Sequence, residues 1–384
     1  MPMGDAWPKG MRVESRHCDL HVGEWQPLDT RVPACHDSRP PALRRDCSAH
    51  RLFQFKPRDC ELPLLTNESF AAALGRRKLR FIGDSVTWDH FNYVGRCIMG
   101  CNSRLDQNSR HRRLTLKDAR YQEAWRNELL AAGYSNFTAD TAIFFMRLAN
   151  AKEHVFEGCD TERGGHVDIR SLNYLPNSKT RDPDLMGAVL HGLLYIGFAG
   201  PSGHQLNSRS MGPGDIVVMN LGLHDKHRDL HKQIPMVLEW WKRERAAGRA
   251  PRLLWRQASP QHWNASMGKF RTFQDILNTA AGGADCQPPS ASAADALPMY
   301  DQGVSDLVRH AGDFAYVLPV FAATWLRPDE HPSLKYFELP AMSQKALAAN
   351  RTYQDCTHWC SPGSVPRFWT QAIMRWLVSE ASDG

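Results

Sequence analysis

Four short apolar runs constrain the fold of this chain more than any other feature. Lys78–Ile82, Asp215–Asn220, Arg252–Arg256 and Ala315–Val320 are each of strand length and lie far apart, with helical periodicity between them. A parallel strand is reached only through a long crossover, and a strand buried on both faces reads as a near-continuous apolar run. Strands alternating with helices therefore predict an α/β domain whose parallel sheet is covered on both faces. Thr87–Met99 carries Phe91, Val94 and Ile98 on one helical face, and Tyr121–Ala132, Ile234–Ala247 and Val365–Ser379 also read as helices. Thr141–Met146 reads as a strand, Ala188–Phe198 as an apolar helix or strand, and the small, polar stretch Gly282–Leu297 as a loop. Residues 1–75, rich in Cys and Pro, are expected to form a lobe packed on a main domain of residues 76–384. At 384 residues and 42% apolar content the chain can bury a core of that size.

Two motifs carry chemistry. Phe81-Ile82-Gly83-Asp84-Ser85 places a serine where the first apolar run gives way to a helix. Gly83 permits a sharp turn there, and a hydroxyl at such a junction lies near helix N-terminal N–H groups that can hold an oxyanion. The alternative for Ser85 is a plain helix N-cap. Far downstream, Asp355 and His358 stand three residues apart around Cys356 and Cys360. That spacing allows both side chains to enter one site, although a disulfide-pinned surface loop is the other reading. A serine hydroxyl is a weak nucleophile that needs a base, and an imidazole base needs a carboxylate to fix its tautomer. Ser85, His358 and Asp355 supply those three groups, which points to a serine acyltransferase or esterase.

The motifs resemble those of the plant trichome birefringence-like family, also called the PC-esterase family, which is similar to the wider SGNH/GDSL hydrolases. Gly83-Asp84-Ser85 and Asp355-Cys356-Thr357-His358-Trp359-Cys360-Ser361-Pro362-Gly363 carry the likeness. Cys18–Trp25, Phe55–Pro63 and Arg327–Ser333 resemble further family segments in the same order. Val86-Thr87-Trp88-Asp89 and the stretch from Asn102 to Asp140 depart from the plant pattern, which marks a divergent member. The resemblance implies an SGNH/GDSL-like three-layer α/β/α sandwich with a parallel central sheet and a disulfide-rich N-terminal lobe. It implies Ser85, His358 and Asp355 as catalytic residues, with the Ser85 backbone N–H and the Asn220 carboxamide as oxyanion donors. Asp84, Gly222, His224, His262 and Trp359 are its candidate substrate contacts. For His262, and for His331 in the Arg327–Ser333 turn, a structural hydrogen bond is the competing role. For Trp88 and Trp359 the competing role is buried packing, and for Arg147 it is capping a sheet edge rather than meeting a donor phosphate. The implied reaction is transfer of acetyl, from acetyl-CoA or a carrier, to a wall polysaccharide such as xylan, mannan or pectin. No bound cofactor is expected. A carbohydrate acetylesterase using the same triad, or a non-catalytic polysaccharide-binding protein, are the alternatives.

Charge and cysteine usage narrow the setting. A net charge of +6 suits anionic partners, but no long basic stripe interleaved with aromatics argues for nucleic acid. The cluster Arg104–Arg113 reads as a solvated loop. None of the 10 cysteines falls in paired CxxC motifs, which disfavours a structural zinc site. An even cysteine count together with sequons at Asn67, Asn136, Asn264 and Asn350 fits passage through an oxidising secretory lumen. Reduced cysteines in a cytosolic protein are the alternative. The resemblance implies a Golgi protein of type II topology. No window here approaches 18 apolar residues, so the anchor is expected to be missing from this chain.

Overall fold

The computed structural model describes residues 18–28, 52–100, 112–115, 119–148, 152–155, 161, 164–172, 175–176, 182–196, 210–221, 230–263, 265, 267–269, 286–334 and 353–382. Two antiparallel strands, β1 (Gly23–Pro27) and β2 (Phe53–Pro57), pair near the N-terminus. The main sheet contains β3 (Lys78–Gly83), β4 (Arg112–Thr115), β5 (Lys152–Val155), β6 (His166–Ser171), β7 (Ile216–Asn220), β8 (Arg252–Arg256) and β9 (Ala315–Leu318). Its spatial order is β4-β5-β6-β3-β7-β8-β9. The five strands from β6 to β9 are parallel, and β4 and β5 add an antiparallel edge. Strands β10 (Ser333–Leu334) and β11 (Tyr353–Gln354) form a short separate pair.

Helices cover both faces: α1 (Asn67–Leu74), α2 (Ser85–Asn92), α3 (Ala119–Ala131), α4 (Asn136–Leu148), α5 (Pro183–Tyr195), α6 (Leu230–Ala246), α7 (Ala293–Asp301), α8 (Val304–Arg309), α9 (Phe321–Trp325) and α10 (Ser364–Ser382). The period-2 alternation of a strand divides the core between them. Leu79, Phe81, Ile216, Val218 and Leu254 pack with residues of α1, α2 and α10, whereas Ile82, Val217, Met219, Leu253 and Trp255 pack with α3 to α6. The result is an α/β fold with a parallel central sheet between helical layers, as expected from the alternation of apolar runs.

Two local expectations fail for identifiable reasons, and one helix is present with altered detail. Thr141–Met146 is not a strand but part of α4. Ala139, Ala142, Ile143 and Met146 are its buried positions, a helical stripe that the aromatic run Phe144-Phe145 masks in the sequence. Arg147 therefore lies in a helix rather than at a sheet edge. The stretch read as a loop to Leu297 turns helical at Ala293, where the Ser292 side chain caps the Asp295 N–H. The helix expected over Thr87–Met99 begins at Ser85 and widens to a π-helical turn over Tyr93–Ile98.

Strand β6 gave no sequence signal because charged Asp168 and Arg170 interrupt its apolar positions. Val167 and Ile169 enter the core, while Asp168 takes a bidentate ion pair from Arg80 on β3, at 2.7 and 2.6 Å. The buried Arg80 guanidinium also donates to the Leu193 and Leu194 carbonyls, joining the sheet to the end of α5. Burial pushes the Asp168 carboxyl up, but Arg80 outweighs it and holds the group down at about 2.

The N-terminal pair is fastened to the rest of the chain. A Cys18–Cys60 disulfide closes it. Trp25 and Phe55 pack on Phe368 of α10, and Trp25 Nε1 donates to the Ala323 carbonyl at 2.9 Å. The Arg327 guanidinium lies 4.8 Å from the Trp25 ring centroid and 4.3 Å from that of Phe53.

Asp168→Asn should destabilise the fold by about 3 kcal/mol, because it leaves the Arg80 charge buried without its counter-ion. Since the Asp168 pKa is depressed on folding, its contribution is complete above the ordinary carboxyl range and disappears as pH falls towards about 2. Urea unfolding of wild type and variant should differ at pH 7 and converge at acid pH; equal stability at pH 7 would contradict this assignment.

Candidate active site

The parallel strands end together, and the site forms at that edge, where open α/β sheets bind ligands. Strand β3 ends at Gly83, and α2 starts two residues later. A Cβ on Gly83 would stand 2.2 Å from the Asn220 carbonyl oxygen and 2.3 Å from Thr87 Oγ1, so only glycine fits this turn. Asp84, not Ser85, is the N-cap: its Oδ1 accepts from the N–H groups of Val86 and Thr87, at 3.0 and 3.3 Å. Ser85 is thereby the first helical residue, half-buried, with its hydroxyl available for other contacts.

That contact is His358, 273 residues away. His358 Nε2 lies 2.8 Å from Ser85 Oγ, and His358 Nδ1 lies 2.6 Å from Asp355 Oδ2. A carboxylate only accepts, so Nδ1 carries the proton and the Nε2 lone pair faces the serine hydroxyl. Asp355 Oδ1 accepts from the N–H groups of Thr357 and His358, at 3.1 and 3.2 Å, which folds the segment into a turn around its own carboxylate. Chemically, this arrangement can take a proton from Ser85 Oγ while holding the resulting imidazolium against a carboxylate.

Neighbouring residues fix the turn. The Cys286–Cys356 disulfide spans 70 residues, and loop-closure entropy assigns such a link roughly 4 kcal/mol. Thr357 Oγ1 accepts from Gln261 Nε2 at 2.7 Å and Trp263 Nε1 at 2.8 Å. The Trp359 N–H donates to Asp89 Oδ2, and its indole N–H donates to Ser259 Oγ. Cys360 N–H donates to the Glu330 carbonyl. Glu330 is held by Arg327 and by Ser364; burial pushes its carboxyl up, and Arg327 opposes that.

Several expected substrate contacts have other partners. The Asn220 carboxamide, expected to donate to an oxyanion, gives its protons to the carbonyls of Arg256 and Gln257, at 2.9 and 3.1 Å. Its Oδ1 accepts from Arg256 Nη2 at 2.8 Å. Asp84 is buried in its capping role, and Trp359 is fully buried against His331 and Trp369. His262 is also fully buried, bonded to His331 and to the Trp325 carbonyl. Gly222 and His224 lie outside the described residues, as do Asn264, Asn350, Cys35 and Cys47. Trp88, one helical turn from Ser85, is half-buried beside Phe91.

Arg256 was not singled out by the sequence, because it reads as the polar end of an apolar strand. Its buried guanidinium lies 4.0 Å from the Trp369 ring centroid. Burial lowers its pKa to about 10, with Asp84 and Asp89 opposing, so it remains a cation at neutral pH beneath the start of α2. Beside Ser85 a small pocket is lined by Val86, Asn220, Ala258, Ser259, Lys269 and Tyr300, together with Asp84.

Comparison with known proteins finds a family likeness over the C-terminal part of the chain. A family described as PC-Esterase, "GDSL/SGNH-like Acyl-Esterase family found in Pmr5 and Cas1p", matches residues 200–375. Protein trichome birefringence-like 25 of Arabidopsis thaliana is 22% identical over 376 residues, 91% of this chain and 75% of that protein. Xyloglucan O-acetyltransferase 1 of Arabidopsis thaliana is 23% identical over 343 residues, 87% of this chain and 73% of the relative. Protein trichome birefringence-like 4 of the same plant is 38% identical, over 63 residues that cover 16% of this chain and 13% of the relative.

The steric fit at Gly83 gives a direct check. In Gly83→Ala the added methyl must displace the Ser85 junction, and labelling of Ser85 by a fluorophosphonate should slow on the order of 100-fold. An unchanged labelling rate in a folded variant would show that the turn does not position the serine.

Proposed function

Because the chain belongs, as a divergent member, to the PC-esterase family, we propose that it is a polysaccharide O-acetyltransferase working through an acetyl-enzyme on Ser85. The observation that carries this reading is the contact of His358 Nε2 with Ser85 Oγ, backed by Asp355 on the other ring nitrogen. His358 takes the Ser85 proton as Oγ attacks the acetyl carbonyl of the donor. The tetrahedral intermediate collapses, His358 returns the proton to the leaving group, and acetyl remains on Oγ. A sugar hydroxyl then gives its proton to His358, attacks the ester, and leaves acetylated while Ser85 recovers its proton.

The Ser85 N–H is the oxyanion donor in this mechanism. As the first helical N–H it has no acceptor within the helix, whereas the Asp84 carboxylate occupies those of Val86 and Thr87. The helix N-terminus adds positive potential at the same place. Loss of one such donor typically costs about 3 kcal/mol of transition-state stabilisation.

Acetyl-CoA, or a carrier-bound acetyl group, is the donor we propose, and a wall polysaccharide of xylan, xyloglucan, mannan or pectin type is the acceptor. Relatives named for acetyl transfer to xyloglucan and to xylan support this choice. Trp88 offers an aromatic face for a sugar ring one turn from Ser85. We place the reaction in the Golgi or another secretory compartment. The Cys18–Cys60 and Cys286–Cys356 disulfides and the exposed sequon residues Asn67 and Asn136 support that setting. No described helix is long and apolar enough to cross a membrane.

The test supplies labelled acetyl-CoA and a panel of deacetylated glycans to wild type and Ser85→Ala. Label should reach one glycan class with wild type only. Retention of label in CoA, with Ser85-dependent release of acetate from acetylated glycans, would overturn transfer in favour of hydrolysis.

A further inference from the structure

Directly behind the His358 backbone lie two buried imidazoles whose hydrogen bonds do not balance if both rings are neutral. His331 Nδ1 is 2.6 Å from the His358 carbonyl oxygen, and His262 Nε2 is 3.0 Å from the Trp325 carbonyl oxygen. Carbonyl oxygens only accept, so each of these two nitrogens must carry a proton. The remaining nitrogens, His262 Nδ1 and His331 Nε2, face each other at 2.7 Å. Two neutral rings hold two protons, both already committed to the carbonyls, and the central contact would then set lone pair against lone pair. A third proton completes the chain from the Trp325 carbonyl to the His358 carbonyl, and the two rings together then carry one positive charge.

We propose that His262 and His331 share this third proton and act as positioning residues, fixing the His358 carbonyl and hence the imidazole that faces Ser85. The proposal rests on the catalytic reading of Ser85 and His358 given above.

The surroundings act in both directions. Burial draws His262 down to about 4 and His331 well below the ordinary histidine range. The Asp329 carboxylate faces His262 and the Asp355 carboxylate faces His331, and both favour the charge; the His358 ring disfavours it. Arg327 and Glu330 on the same turn bond each other. The face of Trp359 lies against His331, with centroids 4.2 Å apart and planes inclined by 31°, and its ring stands perpendicular to that of His262. An indole face attracts a cation, most strongly where water is excluded. Burial outweighs the two carboxylates, of which Asp329 is itself paired with Arg327, and the third hydrogen bond and the indole face are what favour the shared charge. As pH rises through the titration of the pair, the third proton leaves, one bond of the chain is lost, and the His358 carbonyl loosens.

The first measurement is 15N NMR of the full chain with labelled histidine. Three ring protons distributed over the His262–His331 pair, with coupling across the central N···N contact, are expected on the acid side of the pair's titration and two on its alkaline side. Two protons at every pH at which the chain is folded would overturn the sharing. The second measurement compares His331→Leu with His331→Asn, using a chromogenic acetyl ester. Leucine removes the donor to His358, and kcat should fall on the order of 10- to 100-fold with little change in KM. Asparagine keeps a donor near the Nδ1 position without needing a ring proton. It should restore kcat to within a few-fold and abolish the alkaline fall that wild type shows as the third proton leaves. Equal loss in both variants, or an unchanged alkaline limb in His331→Asn, would overturn the positioning role. Fluorophosphonate labelling of wild-type Ser85 separates the two layers. Absence of label would remove the catalytic reading and the positioning role with it, whereas label on Ser85 with only two ring protons would overturn the shared proton alone.

Discussion

The structure depends on one long-range constraint, the holding of a six-residue turn against the end of β3. Every residue from Asp355 to Cys360 has a named restraint outside the turn or across it. Asp355 N–H bonds the Pro332 carbonyl, Cys356 is disulfide-linked to Cys286, and Thr357 accepts from Gln261 and Trp263. The His358 carbonyl meets His331, Trp359 reaches Asp89 and Ser259, and Cys360 N–H bonds the Glu330 carbonyl. A base that must stand within hydrogen-bond reach of a serine from a distant part of the chain needs such redundancy, since small displacements cost large factors in rate.

The restraints come from segments that the parallel sheet delivers to one edge. Gln261, His262 and Trp263 follow β8, the turn carrying Glu330 and His331 follows β9 and α9, and Asp89 lies on α2 after β3. The N-terminal strand pair supports the same construction from behind, through the Arg327 guanidinium on Trp25 and Phe53 and through the Phe53 N–H bonded to Ser364 Oγ. Packing, ion pairing and disulfides thus converge on the positions of two side chains.

The sequence revealed the candidate reacting groups more readily than what holds them. Ser85, Asp355 and His358 stood out because each lies in a short motif whose spacing has chemical meaning. The supporting residues gave no local signal: Gln261, Thr357 and Ser259 are ordinary polar residues until the fold brings them together. For Trp359 and His262 the motifs leave ligand contact and a structural role both open, and their burial fits the packing and hydrogen-bonding roles. Asn220 likewise follows an apolar strand as expected, but its amide protons go to the backbone carbonyls at the end of β8. Strand β6 was hidden by charges that the Arg80–Asp168 pair neutralises in the interior, and α4 by an aromatic run that reads locally as a strand.

The central claim is that Ser85 carries the acetyl group between donor and acceptor. Rapid-quench mass spectrometry of wild type mixed with acetyl-CoA, in the absence of glycan, measures this directly. The account predicts one acetyl group on the peptide containing Ser85, discharged when a deacetylated acceptor glycan is added. Acetylation of the glycan at the full rate with Ser85 never modified, or with the acetyl on another residue, would contradict it.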